Sequence, residues 1–118
     1  MLDNNIIEFS ESNNFDKLVL QSEIPVIIDF YANWCGPCKK LSPDLEKACT
    51  DHKTFKLVKI NVDNFTELSE KYQVSSIPHV ILFCCGKQEM SFRGNDKAAF
   101  DKMIEKCKEK CKSFRIKF

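Results

Sequence analysis

Cys35 and Cys38 stand three residues apart, enclose Gly36-Pro37 and directly follow Trp34. Just before them, residues 25–32 form an apolar run that reads as a buried strand. On that reading Cys35 lies at the mouth of a helix and Cys38 one turn inside it. Positions i and i+3 share a helix face, so the two sulfurs can meet. A helix N-terminus carries unpaired N–H groups and partial positive charge. That environment favours the thiolate, which is the nucleophilic form of cysteine. Pro37 fits this placement, because proline is favoured at the first helical position, where its missing N–H costs nothing.

Asp29 is the second residue that suggests chemistry. It interrupts the apolar run Val26-Ile27-Ile28-Asp29-Phe30. A buried carboxylate is costly unless paired or protonated, and burial raises its pKa.

The elements that must position these groups follow from periodicity. Residues 6–9 read as a first strand. Ser10 or Ser12 caps a helix through about residue 20, with Phe15, Leu18 and Val19 inward. The strand 25–32 is nearly all apolar, as a strand covered on both faces is. A helix over 35–51 turns Cys38, Leu41, Leu45, Ala48 and Cys49 inward, with Pro43 inside it as a kink site. Residues 56–62 form a third strand and 65–72 a short helix. Strands over 77–84 and 89–93 surround a tight turn at Cys85-Gly86-Lys87. A last helix begins near Asn95 or Asp96. Its stripe is Phe100, Met103, Ile104, Cys107, Cys111, Phe114 and Phe118. The order β-α-β-α-β-α-β-β-α implies parallel pairing first and an antiparallel hairpin last.

With 118 residues, ten Phe and a hydrophobic fraction of 43%, the chain can build one domain with a real core. No apolar run approaches the ~20 residues that span a bilayer. The start, Met1-Leu2-Asp3-Asn4-Asn5, shows no basic region followed by an apolar one, so no signal peptide is expected. The seven cysteines are an odd number, which argues against a secreted disulfide scaffold and for a reducing, cytoplasmic setting. The net charge of +1 is uneven: residues 97–118 carry eight Lys/Arg against three Asp/Glu, a solvated helix face in the simplest reading. No basic patch interleaved with aromatics points to nucleic acid.

A bare C-x-x-C also occurs in zinc sites. Here the run Asp29-Phe30-Tyr31-Ala32-Asn33-Trp34-Cys35-Gly36-Pro37-Cys38-Lys39 is joined by Pro43, Lys59, Ile77-Pro78, Gly86 and Gly94. Over residues 6–111 this chain resembles the thioredoxin family. The resemblance implies a thioredoxin fold: an α/β domain with a central mixed five-stranded sheet flanked by four helices. It places the domain at 1–112 and leaves 113–118 as a tail that extends the last helix or frays. It implies a dithiol protein-disulfide reductase with a redox-active Cys35–Cys38 disulfide, no bound cofactor and no metal. Cys35, nearer the helix end and expected to be the exposed thiol, attacks a substrate disulfide, and Cys38 resolves the mixed disulfide. Asp29 is the implied proton acceptor for Cys38, and Lys59 its basic neighbour from the next strand. Trp34, Gly36, Pro37, Ile77, Pro78 and Gly94 are the implied substrate surface, with a cis bond before Pro78. A monomer recycled by an NADPH-dependent thioredoxin reductase is implied, with disulfide-bearing proteins such as peroxiredoxins as substrates. Two other readings stay open: an oxidase or isomerase of the same fold, and a binding subunit that uses the fold without the chemistry.

Several positions depart from the family pattern. His79 stands where threonine is usual; it reads as a hydrogen-bonded strand residue, or as a group that tunes the dithiol. Cys84-Cys85 replaces polar residues at the hairpin, with one of the two exposed. Cys49, Cys107 and Cys111 read as packing residues.

Overall fold

The computed structural model describes residues 5–116, and the side chains of residues 5–110. The elements follow the expected order: β1 (Ile6–Glu8), α1 (Asp16–Leu20), β2 (Val26–Tyr31), α2 (Gly36–His52), β3 (Lys56–Asn61), α3 (Thr66–Lys71), β4 (His79–Cys84), β5 (Lys87–Arg93) and α4 (Lys97–Ile116). The strands form one sheet in the order β1-β3-β2-β4-β5. β1 and β2 flank β3 in parallel, while β4 runs antiparallel to both β2 and β5.

Alternation along β2 divides the core. Ile27 faces α2 and α4, packing with Leu41, Leu45, Phe100 and Met103. Ile28 and Phe30 face the other side, where Phe15, Leu18 and Val19 of the α1 region and Leu68 and Tyr72 of the α3 region cover them. This three-layer arrangement explains why β2 and β4 are apolar on both faces. The inward set of α2 is Cys38, Leu41, Leu45, Ala48 and Cys49, as its periodicity requires. Cys107 is also fully buried, and Cys49 donates its S–H to the Phe55 carbonyl at 3.4 Å. The side chains of Cys111 and Phe114, and Phe118 altogether, lie outside the described residues, as does the end of the 113–118 tail.

Three expectations need correction. The first helix is one π-helical turn that starts well after Ser10 and Ser12. Its N-cap, Phe15, offers no side-chain cap, and Asn14 just before it accepts the Lys17 N–H at 3.1 Å. Ser10 instead closes a local turn, donating its backbone N–H to the Asn13 side chain. β4 begins at His79, so Ile77 and Pro78 precede the strand. Pro78 has no N–H for a ladder, and its carbonyl accepts the Gly94 N–H at 2.8 Å. At the hairpin, β5 starts at Lys87, so the turn holds only Cys85 and Gly86.

Both turn residues have positive φ, 53° and 80°, the pattern of a primed hairpin turn. Gly86 is also crowded: an added Cβ lies 3.0 Å from the Leu20 carbonyl oxygen. We therefore expect Gly86→Ala to destabilise the fold by about 1–3 kcal/mol, from the positive φ and the backbone clash together. Urea unfolding of the two proteins checks this; equal midpoints would show that the hairpin relaxes without cost.

Candidate active site

The end of β2 delivers the two cysteines. After Tyr31 the chain turns through Ala32, Asn33 and Trp34, and Cys35 becomes the N-cap of α2. Its backbone is extended, at φ −85° and ψ 109°, and Pro37 occupies the first turn. The Cys35 Sγ accepts the Cys38 N–H at 3.2 Å, so a sulfur does the capping work usually done by an oxygen. Cys35 and Cys38 are joined by a disulfide with their Cα atoms 5.3 Å apart.

Cys35 was expected to be exposed, and it is not. In this oxidised form Cys35 is 4% and Cys38 3% exposed. Both pack with Ala32, against Tyr31, Val62 and Ile77. The N-cap side chain folds back over the first turn instead of pointing to solvent. What distinguishes Cys35 is its place at the positive end of the helix, with an N–H aimed at its sulfur.

The remaining surface residues assemble around this pair. Trp34 is 70% exposed, and its indole N–H donates to Asp63 at 3.0 Å. The Ile77–Pro78 bond is cis, and Gly94 holds the Pro78 carbonyl. The antiparallel pairing Phe30↔His79 brings this segment beside the end of β2. Trp34, Ile77, Val62 and Val74 line a shallow groove of about 370 Å³ next to the dithiol. Gly36 has open space around its Cα, so a partner backbone can approach there.

On the sheet face below α2, the register aligns Glu8, Lys59 and Asp29 in one row across β1, β3 and β2. Asp29 is 1% exposed, and its Oδ1 has no hydrogen-bond partner. Burial pushes its carboxyl from 3.8 to about 7; the Lys59 charge pulls it down, and Glu8 and Glu46 push it up. Lys59 is the basic neighbour of Asp29 in register, as expected, but its ammonium donates to Glu46 at 3.0 Å. A long lysine reaches a half-exposed carboxylate at the rim at less desolvation cost than a buried one. Burial raises the Glu46 carboxyl, yet the hydrogen bonds from Lys59 and Ser42 outweigh it and leave its pKa lowered. Tyr31 donates to Glu8 at 2.6 Å. A cleft of about 380 Å³ opens between Tyr31, Cys38, Ser42 and Lys59. Sequence reasoning missed Glu8, Ser42, Glu46 and Asp63. Only the Ser42–Glu46 spacing of four on one helix was a visible signal.

His79 is buried and its Nδ1 has no partner, which corrects the expected hydrogen-bonded role. Burial and the Arg93 charge lower its pKa, and its ring packs 6.2 Å from Phe30. Of the hairpin pair, Cys85 is exposed and Cys84 buried, as expected for one of the two. Burial raises the Cys84 thiol to about 11, which makes it unreactive.

The profile of the family described as Thioredoxin matches residues 6–108. The chain belongs to the thioredoxin family. Thioredoxin-1 of Saccharomyces cerevisiae is 33% identical over 99 residues, covering 84% of this chain and 95% of that protein. A protein named probable thioredoxin-2 of Caenorhabditis elegans is 38% identical over 102 residues, covering 85% and 70%. Among solved structures, oxidised thioredoxin from Plasmodium falciparum superposes with a TM-score of 0.75 at 31% identity, covering 86% of this chain and 96% of that one. The fold is therefore the thioredoxin fold, as the strand order already indicated. As a thioredoxin with its cysteine pair disulfide-bonded, the protein is a thiol–disulfide oxidoreductase that reduces protein disulfides with a dithiol. Its redox group is part of the chain, and among the described residues no cluster could hold a metal. No described helix is long and apolar enough to cross a membrane.

Proposed function

We propose that Cys35 is the attacking thiol and Cys38 the resolving one. The hydrogen bond from the Cys38 N–H to the Cys35 sulfur, at the N-terminus of α2, is the observation that carries this order. The Cys35 thiolate attacks one sulfur of a substrate disulfide, forming a mixed disulfide and releasing the other sulfur as a thiolate. Asp29, in its carboxylate form, takes the proton of Cys38. The Cys38 thiolate then attacks Cys35, forming the Cys35–Cys38 bond and breaking the mixed disulfide. The second substrate thiolate leaves and is protonated. Two electrons pass from the dithiol to the substrate.

The substrate docks in the groove at Trp34, with Gly36, Pro37, Ile77, Pro78 and Gly94 presenting backbone to an extended chain. An NADPH-dependent thioredoxin reductase returns the disulfide to the dithiol, and no cofactor stays on this chain. Peroxiredoxins are among the substrates; one similar solved structure, at 28% identity and a TM-score of 0.77, concerns a yeast mitochondrial 1-Cys peroxiredoxin and the glutathione/thioredoxin systems. The catalytic unit is residues 1–112, with 113–118 as a tail, and it acts as a monomer in the cytoplasm. Lys59 contributes through the charge around Asp29.

The order of attack has a direct test. With Cys38→Ser, incubation with a disulfide substrate should accumulate a covalent complex through Cys35, visible by mass spectrometry and cleared by dithiothreitol. A complex that forms through Cys38 in Cys35→Ser, and not through Cys35, would reverse the assignment.

A further inference from the structure

The Lys59 ammonium has three carboxylates around it and is ion-paired with one. It lies between Glu8 and Asp29 in the cross-strand row. Yet its ion pair is with Glu46, one helix away, at 3.0 Å. Glu46 is itself held in place: the Ser42 hydroxyl, one turn earlier on α2, donates to the same Oε2 at 2.9 Å. Lys59 also lies over the Tyr31 ring, 5.2 Å from its centre. Asp29 is consequently in no ion pair among the described residues, and its Oδ1 is unpartnered.

We propose that Glu46 is a positioning residue for the resolving step: by holding the Lys59 ammonium at the rim, it keeps that cation from the Asp29 carboxyl. This rests on the reading of Asp29 as proton acceptor for Cys38. A carboxylate in direct contact with an ammonium is a poor base; one left unpartnered in an apolar site is a good one near neutrality. The groups that face Asp29 are few. They are Lys59 on β3, Glu8 on β1, Glu46 on α2 and Tyr31 on its own strand. β4 offers Val80 opposite Asp29, which carries no charge. One Glu8 oxygen accepts the Tyr31 hydroxyl, and among the described residues Glu46 is the carboxylate that Lys59 pairs with.

Glu46→Gln removes the competitor. Lys59 then turns toward Asp29, and the loss of the Glu46 charge acts in the same direction. Both effects favour the carboxylate, so the Asp29 titration should move toward acid by about one pH unit. Two readouts report it: the carboxyl carbon shift of Asp29 by NMR against pH, and the pH–rate profile for resolution of a mixed disulfide. Repeating the change in a Lys59→Met background separates the two effects. The proposal expects most of the displacement to vanish without Lys59. An unmoved Asp29 titration in Glu46→Gln, or a displacement equal with and without Lys59, overturns it. Failure of the Asp29 role shows elsewhere: Asp29→Asn would then keep the native pH–rate profile, while the NMR titration still reads whether Glu46 governs Asp29.

Discussion

Insulin reduction driven by dithiothreitol should fall to the rate of dithiothreitol alone when Cys35 is replaced by Ser. A serine hydroxyl at the same N-cap still accepts the Cys38 N–H, so the helix keeps its cap. Folding is therefore expected to survive while the nucleophile is lost, because a hydroxyl does not attack a disulfide under these conditions. Far-UV circular dichroism of the variant verifies the fold. The result is informative because burial does not single out Cys35: the two sulfurs of the oxidised pair are about equally covered. Turnover that persisted in Cys35→Ser would move the attacking role to Cys38. A folded native protein with no turnover on insulin would indicate narrow substrate choice, set in the Trp34 groove.

The second large effect concerns Asp29. Its carboxyl titrates at about 7 in the folded protein against 3.8 ordinarily, chiefly from burial. A pKa raised in the folded state means that the native protein holds a proton which the unfolded chain has released. The contribution to stability is then fully present below pH ~4 and is lost as pH rises toward ~7. At about 1.4 kcal/mol for each unit, that loss is about 4 kcal/mol for the oxidised protein. Asp29→Asn has no charge to desolvate. Its stability should stay flat over this interval and exceed that of the native protein at pH 8 by an amount of that order. The same variant should slow resolution of the mixed disulfide above neutral pH, because Cys38 loses its proton acceptor. Stability thus opposes activity at this one residue. Denaturant unfolding from pH 4 to pH 8 tests it. Parallel stability curves for the two proteins would show that Asp29 ionises freely, through water reaching the cleft beside Cys38.

Strong local signals were readable along the chain. The apolar run of β2, the inward stripe of α2 and the packing of Cys49 and Cys107 all follow from periodicity, which is a property of neighbours in sequence. The first helix was harder. Ser10 and Ser12 are good caps by residue type, but Ser10 closes a local turn with Asn13 and the helical turn begins only at Asp16. The apolar pattern continues across Pro78, so periodicity extends β4 to Ile77, whereas the strand begins at His79 because proline has no N–H for the ladder.

By itself, then, the sequence determined the reacting pair and the scaffold. Spacing, helix entry and the order of elements are short-range facts, and they suffice to bring two sulfurs together at a helix N-terminus. The tertiary structure alone decided the electrostatics around them. Whether Lys59 meets Asp29 or Glu46, whether His79 finds a partner and whether Cys35 faces solvent depend on residues far apart in the chain. Charge interactions fall off with distance and with the dielectric between groups. Their outcome belongs to the packed sheet and helix, where a rim carboxylate from α2 outcompetes a buried one on β2.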